Sequence, residues 1–137
     1  MPSLVAEVPA ADGASALAHF EDSFRFETDC WDVQHGLTHA PDFVLIDVRS
    51  AEAFAAAHVP GAINLPHAKI LAARMAQYAP GTLFVVYCAG PHCNGAARAA
   101  LRLARLGRPV KVMAGGMSGW REEQFPLAHG ASAAATA

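Results

Sequence analysis

The sequence predicts one α/β domain, a three-layer arrangement with a mostly parallel central sheet flanked by helices. Three observations carry this. Two runs, residues 43–48 (FVLIDV) and 83–87 (LFVVY), are apolar and rich in β-branched and aromatic residues, the pattern of strands buried on both faces. Helix-like segments stand between the strand candidates, an alternation that builds parallel sheets. The chain has 137 residues, enough to bury a real core in one domain without staples.

In chain order, residues 1–9 read as loose, and an alanine-rich stretch from 10 to 20 reads as a helix with Leu17 and Phe20 on one side. Phe24-Arg25-Phe26 alternates and suggests a short edge strand. Asp29 is a good N-cap, with Asp32 three residues on, for a helix over residues 30–37 that buries Trp31 or Val33. Cys30 reads there as a small buried residue. After the strand at 43–48, Ser50 caps a helix over 51–57, and Glu52 sits near its positive end. Val59-Pro60-Gly61 is a turn, residues 62–65 an edge strand, and 67–77 a helix stopped by Pro80-Gly81. Residues 110–113 give a further strand, and 117–124 a last helical turn around Trp120. The organisation expected is an N-terminal extension and helix at 1–22, the domain proper at 23–128, and a disordered tail at 129–137.

The chemistry concentrates in residues 83–107. The buried strand ends at Cys88, and Gly90, Pro91, Asn94 and Gly95 leave no room for regular structure. A helix follows from residue 96, with Arg98, Arg102 and Arg105 on one arc and Ala96, Ala99, Ala100, Leu103 and Leu106 opposite; Gly107 and Pro109 stop it. A thiol at the carboxyl end of a strand, facing a helix N-terminus, sits where ligands bind in such sheets and where thiolates are favoured. The competing reading is a buried structural cysteine, since a buried strand can simply end in one. A loop holding His92, Cys93 and two glycines is a poor choice for ordinary packing and favours chemistry.

These residues resemble the rhodanese-like family. Asp47-Val48-Arg49, Glu52 and the stretch 58–66 (HVPGAINLP) are similar to its first signature. Residues 85–88 (VVYC) with the following loop and helix resemble its active-site segment. Gly115-Gly116, Trp120 and Phe125-Pro126-Leu127 resemble its C-terminal signature. The resemblance implies sulfur transfer through a cysteine persulfide, with Cys88 accepting the sulfane sulfur. It also implies that the backbone N–H groups of Ala89, Gly90, Pro91, His92, Cys93, Asn94 and Gly95 (proline excepted) surround it. The implied partners are a small-molecule sulfur donor and a thiol, cyanide or protein acceptor, with no cofactor. Asp47, Arg49 and His58 are read as structural support.

Two departures from the family pattern bear on chemistry. The loop is longer than usual, which brings Cys93 to the same site, and it holds no Arg or Lys to bind thiosulfate. Cys88 stands at the strand end and Cys93 nearer the helix start, so both are candidate nucleophiles, Cys88 the preferred one. Cys93 can instead resolve an oxidised or persulfidated Cys88 by forming an intraloop disulfide, or merely pack beneath the loop. The bridge requires Cα atoms within about 7 Å.

Other classes are weaker. A phosphatase or arsenate reductase needs C-x5-R, and position 94 is Asn. A silent binding or redox-sensing module remains the alternative, though inactive relatives usually lack the cysteine. One C-x4-C unit without a second pair does not make a zinc site. A net charge of −2 gives no basis for a nucleic-acid partner, and no apolar run approaches the ~18 residues of a membrane span. Three cysteines and an N-terminus without a basic start or apolar core fit a cytoplasmic setting with free thiols.

Overall fold

The computed structural model describes residues 1–131. Five strands, β1 (Glu27–Asp29), β2 (Val44–Asp47), β3 (Ile63–Asn64), β4 (Phe84–Tyr87) and β5 (Val110–Ala114), form one sheet in the order β1-β5-β4-β2-β3. Every pairing is parallel. The helices are α1 (Leu4–Glu7), α2 (Gly13–Ser23), α3 (Cys30–Thr38), α4 (Ala51–Ala56), α5 (Ala72–Met75), α6 (Gly95–Arg105) and α7 (Gly116–Glu122). The expected α/β layering with a parallel sheet is what the chain adopts.

The alternation of strand side chains explains the three layers. Leu45, Val85 and Tyr87 point to one face and pack with Val33 of α3, Phe54 of α4, and Met117 and Trp120 of α7. Ile46, Phe84, Val86 and, continuing the alternation, Cys88 point to the other and meet Ala96, Ala99 and Leu103 of α6 and Met75 of α5. All four residues of β4 are buried, as its unbroken apolar run requires. Gly107, at φ 73°, closes α6: its N–H donates to Ala104 O and that of Arg108 to Leu103 O.

Several boundaries differ from those expected. Residues 24–26 are not the edge strand: Arg25 and Phe26 donate N–H bonds back to Asp22 and Ser23 as α2 ends, and β1 begins at Glu27. The ladder starts at the Phe26 carbonyl, which accepts from Val112 N–H, so backbone pairing and not side-chain alternation sets this strand. The helix expected over 67–77 is two pieces, a 3-10 turn at His67–Lys69 and α5, separated where Ile70 turns extended and is buried. Residues 4–7 form a turn of helix capped by Ser3, with nothing buried. In α3 it is Val33 that enters the core, while Trp31 is 61% exposed and meets Phe125 edge-on. Residues 129 and 130, expected in the tail, are tied to α4: His129 Nδ1–H donates to Ala56 O and Gly130 N–H to Ala55 O. Residues 132–137 lie outside the described residues.

Candidate active site

Cys88 follows β4 at the carboxyl edge of the sheet and is 7% exposed. Its loop is held from below by the turn between β5 and α7. Met117 N–H donates to Cys88 O at 2.9 Å, and Ser118 N–H to Ala89 O at 2.8 Å. This close approach is why the turn contains Gly116: its φ is 57°, and a Cβ there would lie 2.6 Å from Cys88 O and 3.0 Å from Gly90 N. Family likeness was the sequence signal at Gly115-Gly116. It did not reveal that this turn carries the backbone of the cysteine.

Within the loop, Cys93 N–H donates to Gly90 O at 3.1 Å and turns the chain back, bringing Cys93 to Cys88. The two sulfurs are bonded to each other, with Cα atoms 6.4 Å apart. Gly95, first residue of α6, makes the space for them: a Cβ on it would lie 2.8 Å from Cys88 Sγ and 3.4 Å from Cys93 Sγ. Its N–H donates to Cys93 Sγ at 3.4 Å, so a helix N-terminal amide meets the second cysteine. The Cys93 N–H, by contrast, is engaged in the turn. Ala89, Pro91, His92, Cys93 and Asn94 are exposed, Gly90 is half-buried and Gly95 is buried. Asn94 precedes α6 without capping it, its Oδ1 accepting instead from Arg98 Nε at 3.2 Å.

Over the sulfurs lies a shallow depression of about 250 Å³, walled by Gly90, Pro91, Ala96, Ala97, the end of β5 and Gly115-Gly116. Among the described residues lining it, Glu27 of β1 is the one ionisable side chain besides the two cysteines. Sequence reasoning missed Glu27. Parallel pairing of β1 with β5 sets Glu27 opposite Val112, and nothing near Glu27 in the sequence signals this.

Asp47, Arg49 and His58 stand apart from the sulfur. Asp47 pairs in register with Tyr87, on the sheet face opposite Cys88. Its carboxylate is 0% exposed and accepts from Arg49 Nε and Nη2, the latter at 2.7 Å, and from Arg49 N–H at 2.9 Å. Arg49 Nη2 also donates to Ala57 O. Burial opposes the Arg49 charge, but the hydrogen bond and charge of Asp47 outweigh it and hold the guanidinium more firmly protonated than usual. Tyr87 is pushed well above the ordinary phenol range, by burial first and then by Asp47. His58 stacks on Phe54, donates Nδ1–H to Phe54 O at 2.8 Å, and exchanges backbone bonds with Ala128.

Cys30 is the remaining thiol. It lies beneath the Gly115-Gly116 turn, its S–H directed at Ala114 O and Gly116 O, each 3.7 Å away. Burial, then the charges of Asp29, Glu123 and Glu122, push it up to about 11, so it stays a neutral thiol. Among the described residues, no three His, Cys, Asp or Glu side chains gather as metal ligands, and no helix is long and apolar enough to cross a membrane.

The family model for the rhodanese-like domain matches residues 32–123, most of the chain, and includes Cys88, its loop and the Gly115-Gly116 turn. The chain belongs to the rhodanese-like family. The BH2092 protein of Bacillus halodurans is 32% identical and superposes with a TM-score of 0.83, over 90% of each chain. A thiosulfate sulfurtransferase of Pseudomonas aeruginosa shares the fold, with a TM-score of 0.68 at 24% identity, over 82% of this chain and 22% of that one. The HTH-type transcriptional regulator Rv0324 of Mycobacterium tuberculosis is 43% identical over 93 residues, 67% of this chain. The match covers 40% of the regulator's length, so a domain like this one occurs there within a longer protein.

Proposed function

We propose that this rhodanese-like domain is a sulfurtransferase that moves sulfane sulfur from a donor to a thiophilic acceptor through a persulfide on Cys88. The supporting observation is the position of Cys88: the end of a buried parallel strand, at the floor of an open depression, before the N-terminus of an 11-residue helix. In its reduced form the thiolate attacks the sulfane sulfur of the donor, whose remainder leaves as an anion. The acceptor then takes the outer sulfur and returns the thiolate. Both cysteines line the depression, and Cys88 is preferred because it is buried directly after β4, while Cys93 rides on the exposed loop.

The lining bears on the donor. Thiosulfate is a dianion, and the depression offers it Glu27 and no cationic side chain among the described residues. Donors of lower charge, such as an alkane thiosulfonate or an alkyl persulfide, fit better, with a thiol or a protein cysteine as acceptor. A phosphatase would need a guanidinium over the thiolate, and position 94 holds Asn. The second reading is a binding or redox-sensing module, favoured by the Cys88–Cys93 bond.

The test is intact mass and cyanide transfer on the reduced chain. A thiosulfonate should add one sulfur to wild type, cyanide should remove it as thiocyanate, and thiosulfate should serve less well. Cys88→Ser should take up none, because a hydroxyl at neutral pH is far less nucleophilic than a thiolate. Sulfur uptake by Cys88→Ser at the wild-type rate would move the nucleophile to Cys93. No uptake by wild type from any of these donors would leave the binding module.

A further inference from the structure

We infer that Cys93 makes this domain a sulfide-releasing reductase of its own persulfide, with a dithiol as the reductant that completes the cycle. This rests on the sulfur-carrier reading of Cys88 and adds a second outcome for the bound sulfur.

The loop is built to bring the two sulfurs together. The Cα atoms are 6.4 Å apart, within the ~7 Å that a bridge allows, and the sulfurs are joined. The Gly90–Cys93 turn sets that distance, and the missing side chain of Gly95 leaves the volume in which the sulfurs meet. Gly95 N–H, at the positive end of α6, points at Cys93 Sγ and favours its thiolate. The two cysteines also differ in access: Cys88 is 7% exposed, whereas Cys93 is exposed. A persulfide on Cys88 therefore has its inner sulfur covered from bulk thiols but within reach of Cys93.

The step balances without an outside oxidant. Cys93 gives its thiol proton to the terminal sulfur of the Cys88 persulfide anion and attacks Cys88 Sγ. A bond forms between the two Sγ atoms, and the bond from Cys88 Sγ to the terminal sulfur breaks. The terminal sulfur leaves as hydrosulfide with the bonding pair, reduced from the sulfane state, while the two cysteine sulfurs are oxidised to the disulfide. A dithiol then attacks the accessible Cys93 sulfur, releases the Cys88 thiolate, and closes its own disulfide. Because Cys93 shares the loop, its effective concentration is at least about millimolar, above what a dilute external thiol offers. Sulfide release thus outruns transfer wherever acceptor is scarce.

The reduced chain, freed of reductant, is given a small alkane thiosulfonate, whose spent form is a sulfinate and adds no sulfide. Released sulfide and alkylated peptides are measured without acceptor. Wild type should release one sulfide per chain, carry an 88–93 crosslink, and stop until a dithiol is added. Cys93→Ser should hold the extra sulfur on Cys88 and release sulfide at least roughly tenfold more slowly. The inference is overturned if wild type keeps a stable persulfide with no crosslink, a result that leaves sulfur transfer to cyanide intact and the carrier reading standing. It is also overturned if Cys93→Ser releases sulfide as fast as wild type. If neither chain takes up sulfur, the carrier reading itself fails and this inference falls with it.

Discussion

Of the three cysteines, the environment decides which can react. Cys88 and Cys93 face an open depression and a helix N-terminus, while Cys30 is enclosed beneath a glycine turn with acidic neighbours. The folded chain holds the Cys30 proton up to a pH of about 11, whereas the unfolded chain loses it near ~8.5. The stability this group contributes is therefore complete below about pH 8.5 and is lost as pH rises toward the folded value. Tyr87, also shifted upward, adds to the loss only above the unfolded phenol value of ~10. In the disulfide form, where Cys88 and Cys93 carry no proton, urea midpoints should fall between pH ~8.5 and ~10 for wild type and much less for Cys30→Ala. Equal slopes for the two proteins would remove Cys30 as the source. A low reactivity for Cys30 was legible in the sequence from its reading as a small buried residue, but its acidic neighbours Glu122 and Glu123 come from a distant helix end and were not.

At the scale of elements, the sequence showed strands best where burial writes a pattern on the side chains. β2 and β4 are legible because both of their faces are covered. β1 is Glu-Thr-Asp, an edge strand with a polar surface, and only its backbone bonds to β5 define it. The alanine-rich stretch from 67 to 77 has helical propensity throughout, yet the need to bury both Ile70 and Met75 breaks it. The turn under the Cys88 loop is the element on which the candidate site depends most. Gly116→Ala forces a Cβ against Cys88 O and Gly90 N, backbone atoms that cannot swing aside, at a φ that L side chains rarely adopt. We expect it to cost about 1 to 3 kcal/mol of stability and to slow sulfur loading by roughly 10- to 100-fold through displacement of Cys88. Gly13→Ala, with nothing within 4 Å, is the control and should be harmless to both. If Gly116→Ala loads sulfur at the wild-type rate, the turn does not position the loop.

Across the whole molecule, the sheet separates the Cys88–Cys93 pair on one face from a buried ion pair on the other. The pair ties several elements together at the carboxyl edge of the sheet. Asp47 ends β2, Arg49 reaches Ala57 O after α4, Asn64 of β3 donates to Asp47 O and Arg49 O, and Tyr87 of β4 lies over the pair, giving its hydroxyl to accept Val59 N–H. The sequence exposed Asp47 as a charge inside an apolar strand that needs a partner, and Arg49 as the nearest one; the wider set of ties depends on the parallel register and was not legible. Because Asp47 is 0% exposed, removing Arg49 strands a buried carboxylate instead of merely deleting a bond. Arg49→Met, which keeps much of the apolar stem, should destabilise the chain by about 3 to 5 kcal/mol, read as a lower urea midpoint. Adding Asp47→Asn should recover part of that loss, since the stranded charge is gone. Both variants should still load sulfur on Cys88 under conditions where they remain folded, because the pair lies across the sheet from it. A loss below about 1 kcal/mol for Arg49→Met, the range of a surface pair, would show that Asp47 does not depend on its guanidinium partner.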